Sequence, residues 1–126
     1  MKMKSGIRIL LLEDLYEDVA LIERALKKAE VCFELKCVET RNEFIEQFLK
    51  FNPDVILCDH SLPQMNSIEA LKIKNEARSN VPFILVTGSV SKDFAQNCLK
   101  QGAYGFVLKG DLEALSEMIR KSLSNN

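Results

Sequence analysis

The stretch PDVILCDHSLPQMNS, residues 53–67, decides the fold. Val55-Ile56-Leu57-Cys58 is a continuous apolar run too short for a helix, and it stops on a carboxylate, Asp59. Such a run reads as a strand buried on both faces of a sheet. Asp59 marks the point where that strand leaves the core, and Pro63 fixes the turn that follows.

Working outward, the same signal recurs. IRILLLE (7–13), VPFILVT (81–87) and GFVLK (105–109) are short apolar runs with β-branched or aromatic members. The proline of the second sits at its start, where a missing N–H is tolerated. FELKCVE (33–39) instead alternates Phe33, Leu35 and Cys37 with charge, the pattern of a half-exposed edge strand.

Between the strands lie helical patterns. VALIERALKKAE places Val19, Ile22, Leu26 and Ala29 on one face. TRNEFIEQFLKF opens with a Thr40-x-x-Glu43 capping box and carries Phe44, Ile45, Phe48 and Leu49. SIEALKIKNEA takes Asn66 or Ser67 as its cap. KDFAQNCLKQG is stopped by Gly102. DLEALSEMIRKSL has Asp111 as cap, with Leu112, Leu115, Ile119 and Leu123 inward.

Five strands alternating with five helices predict an α/β fold: a doubly wound parallel sheet covered on both sides. The edge character of the second strand selects the flavodoxin-like order 2-1-3-4-5. The chain is expected to be one domain over 1–126, with its core at about 7–123. Composition is 47% hydrophobic and 28% charged with a net charge of −1, so no basic field points to nucleic acid. No apolar run reaches the ~18 residues of a spanning helix, and the start, MKMKSG, lacks a signal-peptide core. Cys32, Cys37, Cys58 and Cys98 show no metal-ligand spacing, lie mostly among apolar residues and are expected to be reduced, as in the cytoplasm.

In such sheets ligands bind beyond the carboxyl ends of the strands. There the sequence puts Glu13-Asp14, Asp59, Thr87-Gly88 and Lys109. Asp54, five strand residues before Asp59, is roughly 17 Å away on the other rim and reads as a turn residue. Three carboxylates together repel unless a cation intervenes. Lys109 neutralises one charge, and a divalent ion with hard oxygen ligands, Mg²⁺, suits the rest. Thr87 adds a hydroxyl and Gly88 a backbone N–H. Together these make a cage for a phosphoryl group, in which a carboxylate can act as nucleophile. Asp14 has a competing reading as the cap of an Asp14-x-x-Glu17 box. His60, the only histidine, lacks partners for a catalytic triad and reads as a loop residue over the pocket.

The acidic pair after strand one, Asp59-x-x-x-Pro63, Thr87-Gly88 and Lys109 together resemble the receiver domain of two-component response regulators. The resemblance implies that Asp59 accepts a phosphoryl group from a histidine kinase or phosphotransfer protein. It implies Mg²⁺ on Asp14, Asp59 and the backbone carbonyl of Ser61, with Glu13 acting through water. Lys109 would pair with the phosphoryl oxygens, to which Ser61 and Gly88 also lie close. Thr87 and Phe106 would form the switch, altering the face of the fourth helix, fifth strand and fifth helix for a downstream protein partner or a phosphorylation-dependent dimer. The activity expected is limited to Mg²⁺-dependent self-phosphorylation and autodephosphorylation.

Three positions depart from the common pattern. Gly110 stands where a proline is usual, Ser67 where a glycine is usual, and Phe106 where tyrosine is frequent. Ser61 and Ser89 occupy positions that tune phosphoryl lifetime. The chain ends at Asn126, so the expected readout is a partner, onward transfer to another histidine, or a role as one domain of a larger protein. Two alternatives are a receiver-like interaction module not controlled by phosphorylation and an aspartyl-nucleophile phosphohydrolase. Against the latter, Ser61 occupies the place where that class needs an acid/base aspartate.

Overall fold

A computed structural model describes residues 6–60, 66–77, 79–88 and 91–124. In chain order it contains β1 (Ile7–Leu12), α1 (Tyr16–Lys28), β2 (Phe33–Val38), α2 (Arg41–Lys50), β3 (Val55–Cys58), α3 (Ser67–Glu76), β4 (Phe83–Thr87), α4 (Lys92–Lys100), β5 (Gly105–Leu108) and α5 (Leu115–Ser124). The strands form one sheet in the order β2-β1-β3-β4-β5, and every adjacent pair is parallel. This is the flavodoxin-like α/β arrangement expected from the alternation.

Alternation along each strand builds two cores. Leu10, Leu12, Ile56, Cys58, Phe83 and Leu85 face one side, with Phe44 of α2, Leu71 of α3 and Cys98 of α4. Ile9, Leu11, Leu57, Ile84 and Val107 face the other, against Ile22 and Leu26 of α1 and Ile119 of α5. All residues of β3 and β4 are buried, because helices cover both faces of the sheet centre.

The helix ends follow local chemistry. Thr40 and Glu43 form the reciprocal capping box of α2. Asn66 caps α3 by accepting from the Glu69 N–H at 2.8 Å. Past α4 the chain turns at Gly102, whose φ of +109° suits a residue without a Cβ.

Several sequence expectations are corrected. Asp111 does not cap the last helix. It has non-helical dihedrals (φ −134°, ψ 49°) inside a 3-10 segment, Lys109–Ala114, and α5 begins only at Leu115. The apolar stripe Leu112, Leu115, Ile119 and Leu123 still packs inward, since burial outweighs the cap. Ala29 is not on the inner face of α1; it is the exposed residue where that helix ends. In β2 the alternation breaks at its end: Cys37 is exposed and Val38 is buried. Cys32 is exposed too, so only Cys58 and Cys98 sit in the core, and all four are free thiols. On α2, Phe44 is fully buried while Leu49 is largely exposed.

Candidate phosphoryl and metal site

β1 and β3 pair in register with Leu12 opposite Cys58, so both strands end at the same level. The Asp59 N–H donates to the Leu12 carbonyl at 3.0 Å, which holds Asp59 beside Glu13. Glu13, Asp14 and Asp59 each bring a carboxylate oxygen to within 4.8 Å of the other two. Glu13 is 1% exposed and Asp59 6%. The Glu13 carboxylate accepts from the backbone N–H groups of Asp14 and Leu15, each at 3.2 Å. The Asp14-x-x-Glu17 capping box is not formed. Leu15 occupies the cap of α1, with no side-chain hydrogen bond.

Opposite this cluster stands Lys109. Thr87 of β4 pairs with Leu108 of β5, so Lys109 leaves the sheet one residue after the last rung. Its Nζ lies 2.9 Å from Glu13 Oε1, 2.6 Å from Asp18 Oδ2 and 3.6 Å from Asp59 Oδ1. Asp18 went unnoticed in the sequence. The available signal was its place four residues after Asp14, in the first turn of α1.

Burial pushes the Glu13 pKa above the usual carboxylate value, with Asp59 adding repulsion, while the hydrogen bonds from Lys109 and Leu15 oppose the rise. For Lys109, burial acts against the charged form. The hydrogen bonds to Asp18 and Glu13, with the charges of Glu13 and Asp59, outweigh it and raise the ammonium pKa above its usual value. Just outside the cluster, Cys37 donates from Sγ to the Glu13 carbonyl oxygen at 3.4 Å. Although the residue as a whole is exposed, its sulfur is partly covered, and that desolvation with the nearby acids pushes the thiol up to about 11, so it stays protonated.

Thr87 is buried at the end of β4, and the exposed Gly88 follows it with open space where a Cβ would stand. Phe106, opposite Leu85 on β5, is 37% exposed rather than core. The His60 ring lies against Phe94 of α4, with ring centroids 4.0 Å apart. Its Nδ1 is buried without a hydrogen-bond partner among the described residues. Ser67 is the buried first residue of α3 and needs no positive φ. Asp54 sits on the other rim, accepting from the Arg8 N–H at 2.9 Å near the start of β1. Ser61, Pro63 and Ser89 lie outside the described residues.

The donor set fits a small hard cation. Three carboxylates converge, two of them buried, and one ammonium cannot neutralise them all.

Five parallel strands in this order, with an acidic cluster beyond their carboxyl ends, are the layout of a signalling module. Residues 9–120 match the response regulator receiver domain family, and the chain belongs to it. It is 32% identical over 92 residues to Regulatory protein AtoC of Escherichia coli (strain K12), covering 72% of this chain and 20% of that protein. It is 33% identical over 101 residues to a protein-glutamate methylesterase/protein-glutamine glutaminase of Archaeoglobus fulgidus, covering 75% of this chain and 28% of that protein. The chain therefore spans between 20% and 28% of the length of these relatives. Among solved structures, a signal receiver domain from Vibrio parahaemolyticus superposes with a TM-score of 0.86 at 26% identity, over 95% of this chain and 92% of that one. The response regulator domain of Thermotoga maritima CheB gives 0.82 at 21% identity, over 94% and 97%, a likeness of fold. Among the described residues no helix is long and apolar enough to cross a membrane.

Proposed function

We propose that residues 1–126 act as a single receiver domain that takes a phosphoryl group onto Asp59 from a phosphohistidine. The donor is a histidine kinase or a phosphotransfer protein, which places the reaction in the cytoplasm. One observation carries this reading: Glu13, Asp14 and Asp59 converge within 4.8 Å, with the Lys109 ammonium 3.6 Å from Asp59.

In the transfer, an Asp59 carboxylate oxygen attacks phosphorus. The P–O bond of an acyl phosphate forms as the P–N bond breaks, and the donor imidazole leaves with that electron pair. Glu13, Asp14, Asp59 and the Ser61 carbonyl are the residues to hold Mg²⁺. When bound, that ion neutralises charge at the phosphoryl oxygens. Lys109 swings from Asp18 toward those oxygens, and at Gly88 there is open space where a side chain would stand.

The Thr87 hydroxyl then turns toward the phosphoryl group, and Phe106 follows from its half-exposed position into the space behind it. That alters the face of α4, β5 and α5 for a downstream protein partner or a second phosphorylated copy. Beyond its own phosphorylation and dephosphorylation the chain is not an enzyme.

The test is incubation with acetyl phosphate and MgCl₂, followed by intact mass. One phosphoryl adduct is expected, absent in Asp59→Asn and prevented by EDTA. A folded chain that takes no adduct, or takes one in Asp59→Asn, overturns the reading.

A further inference from the structure

Strand β2 lies at one edge of the sheet and pairs with β1 alone. Two hydrogen bonds fix which of its backbone groups point inward. The Ile7 N–H donates to the Cys32 carbonyl at 2.9 Å, and the Glu13 N–H to the Val38 carbonyl at 3.1 Å. Along a strand, the N–H and C=O of successive residues point to opposite edges. The unbroken register from Ile7↔Phe33 to Leu12↔Val38 therefore turns the backbone of Glu34 and Lys36 toward β1, and that of Phe33, Leu35 and Cys37 outward. Among the described residues these outward groups have no partner.

An edge of this kind is a template for another strand unless a proline, a bulge or a charge blocks it. β2 carries no proline, and its register has no bulge. Its charges are Glu34 and Lys36, both exposed, which flank Leu35 and share one face of the sheet. Neither side chain meets an ion-pair partner among the described residues.

We propose that β2 pairs antiparallel with β2 of a second copy of this chain, about a two-fold axis through Leu35. That register sets Glu34 opposite Lys36 of the second copy, and Lys36 opposite its Glu34. These are the pairs whose Cα atoms approach most closely, to about 4.5 Å, because their backbone groups face away from the new contact. The outward groups match in the same register. Leu35 bonds in both directions to Leu35 of the second copy, and Phe33 to its Cys37. Registers centred on Glu34 or on Lys36 put identical charges face to face. Those centred on Phe33 or Cys37 shorten the ladder and leave both ion pairs unmade. A strand complementary to itself selects a second copy over an unrelated extended segment, and the contact closes as a dimer. It lies at the opposite edge of the sheet from β5, and it does not depend on phosphorylation of Asp59.

The experiment is sedimentation equilibrium of the full chain, unphosphorylated, without Mg²⁺ and with a thiol reductant, from about 10 µM to about 500 µM. A reversible monomer–dimer equilibrium is expected. Amide exchange followed by NMR should slow at least threefold at Phe33, Leu35 and Cys37 toward the concentrated end, and less at Glu34 and Lys36, which already bond to β1. Glu34→Lys and Lys36→Glu should each weaken the dimer at least fivefold, since both cross-strand pairs become like-charged. The double exchange Glu34→Lys/Lys36→Glu should restore it to within about twofold. A monomer at every concentration would leave the edge to a segment of another protein and overturn the proposal. A dimer indifferent to either reversal, a double exchange no tighter than the single variants, or slowing confined to other amides would overturn it as well.

Discussion

The Lys109 ammonium lies 2.6 Å from Asp18 but 3.6 Å from Asp59. The side chain that should serve the phosphoryl group is thus held closer to α1 than to the phosphoacceptor. On the proposed function, phosphorylation exchanges one anionic partner of Lys109 for another, with Asp18 as the partner given up.

Asp18→Asn should therefore weaken Mg²⁺ binding severalfold in calorimetry, because a freed Lys109 leans into the cluster that holds the cation. A nearby lost charge would also weaken it, so the Lys109→Met background separates the two causes. There the effect of Asp18→Asn should fall below about twofold. An undiminished effect would mean that Asp18 acts through its field alone.

Thr87→Ala should still accept a phosphoryl group from acetyl phosphate. In that variant the amide shifts of α4, β5 and α5 should no longer follow phosphorylation. If they respond as in the parent chain, the hydroxyl is not part of the switch.

The raised pKa of Lys109 carries a pH signature. The folded protein binds this proton more tightly than the unfolded chain, so the resulting stability is fully present below about pH 10.4, the ordinary lysine value. It is lost as pH rises through the folded value. Urea unfolding without metal should show a constant advantage of the parent over Lys109→Met from pH 7 to 9, which shrinks steadily from about pH 10 upward. An advantage that is as large at pH 12 as at pH 9 would contradict the assignment.

Stability itself tests the packing. Phe44 is fully buried, stacked on Phe48 with ring centroids 5.8 Å apart. Phe44→Ala should cost about 3–5 kcal/mol in chemical unfolding. Thr40→Ala, which removes half of the capping box of α2, should cost about 1 kcal/mol. A loss at Thr40 as large as that at Phe44 would mean that capping, not core packing, holds α2.

Much of this protein could be read directly from the chain. Strand identity and order rest on local signals: apolar runs such as Val55–Cys58 for central strands, and charge alternation in β2 for an edge. The period of a buried face is a property of neighbouring residues. The rim where Glu13, Asp59, Thr87 and Lys109 gather followed from that order, since parallel strands all end on one side. Helix ends were legible where the cap is a side chain, as at Thr40 and Asn66. They were not at Asp111, where packing of Leu112 and Leu115 governs the turn.

Tertiary structure alone decided the partners of each charge. Asp18 and Lys109 are 91 residues apart, and no periodicity links them; only the docking of α1 beside the end of β5 does. Whether Asp14 caps its own helix or joins the acidic cluster turned on the same packing, which gave the cap to Leu15. Local sequence dictates backbone conformation through short-range sterics and hydrogen bonding. Electrostatic pairing and burial arise from residues distant in the chain and exist only once the helices have packed.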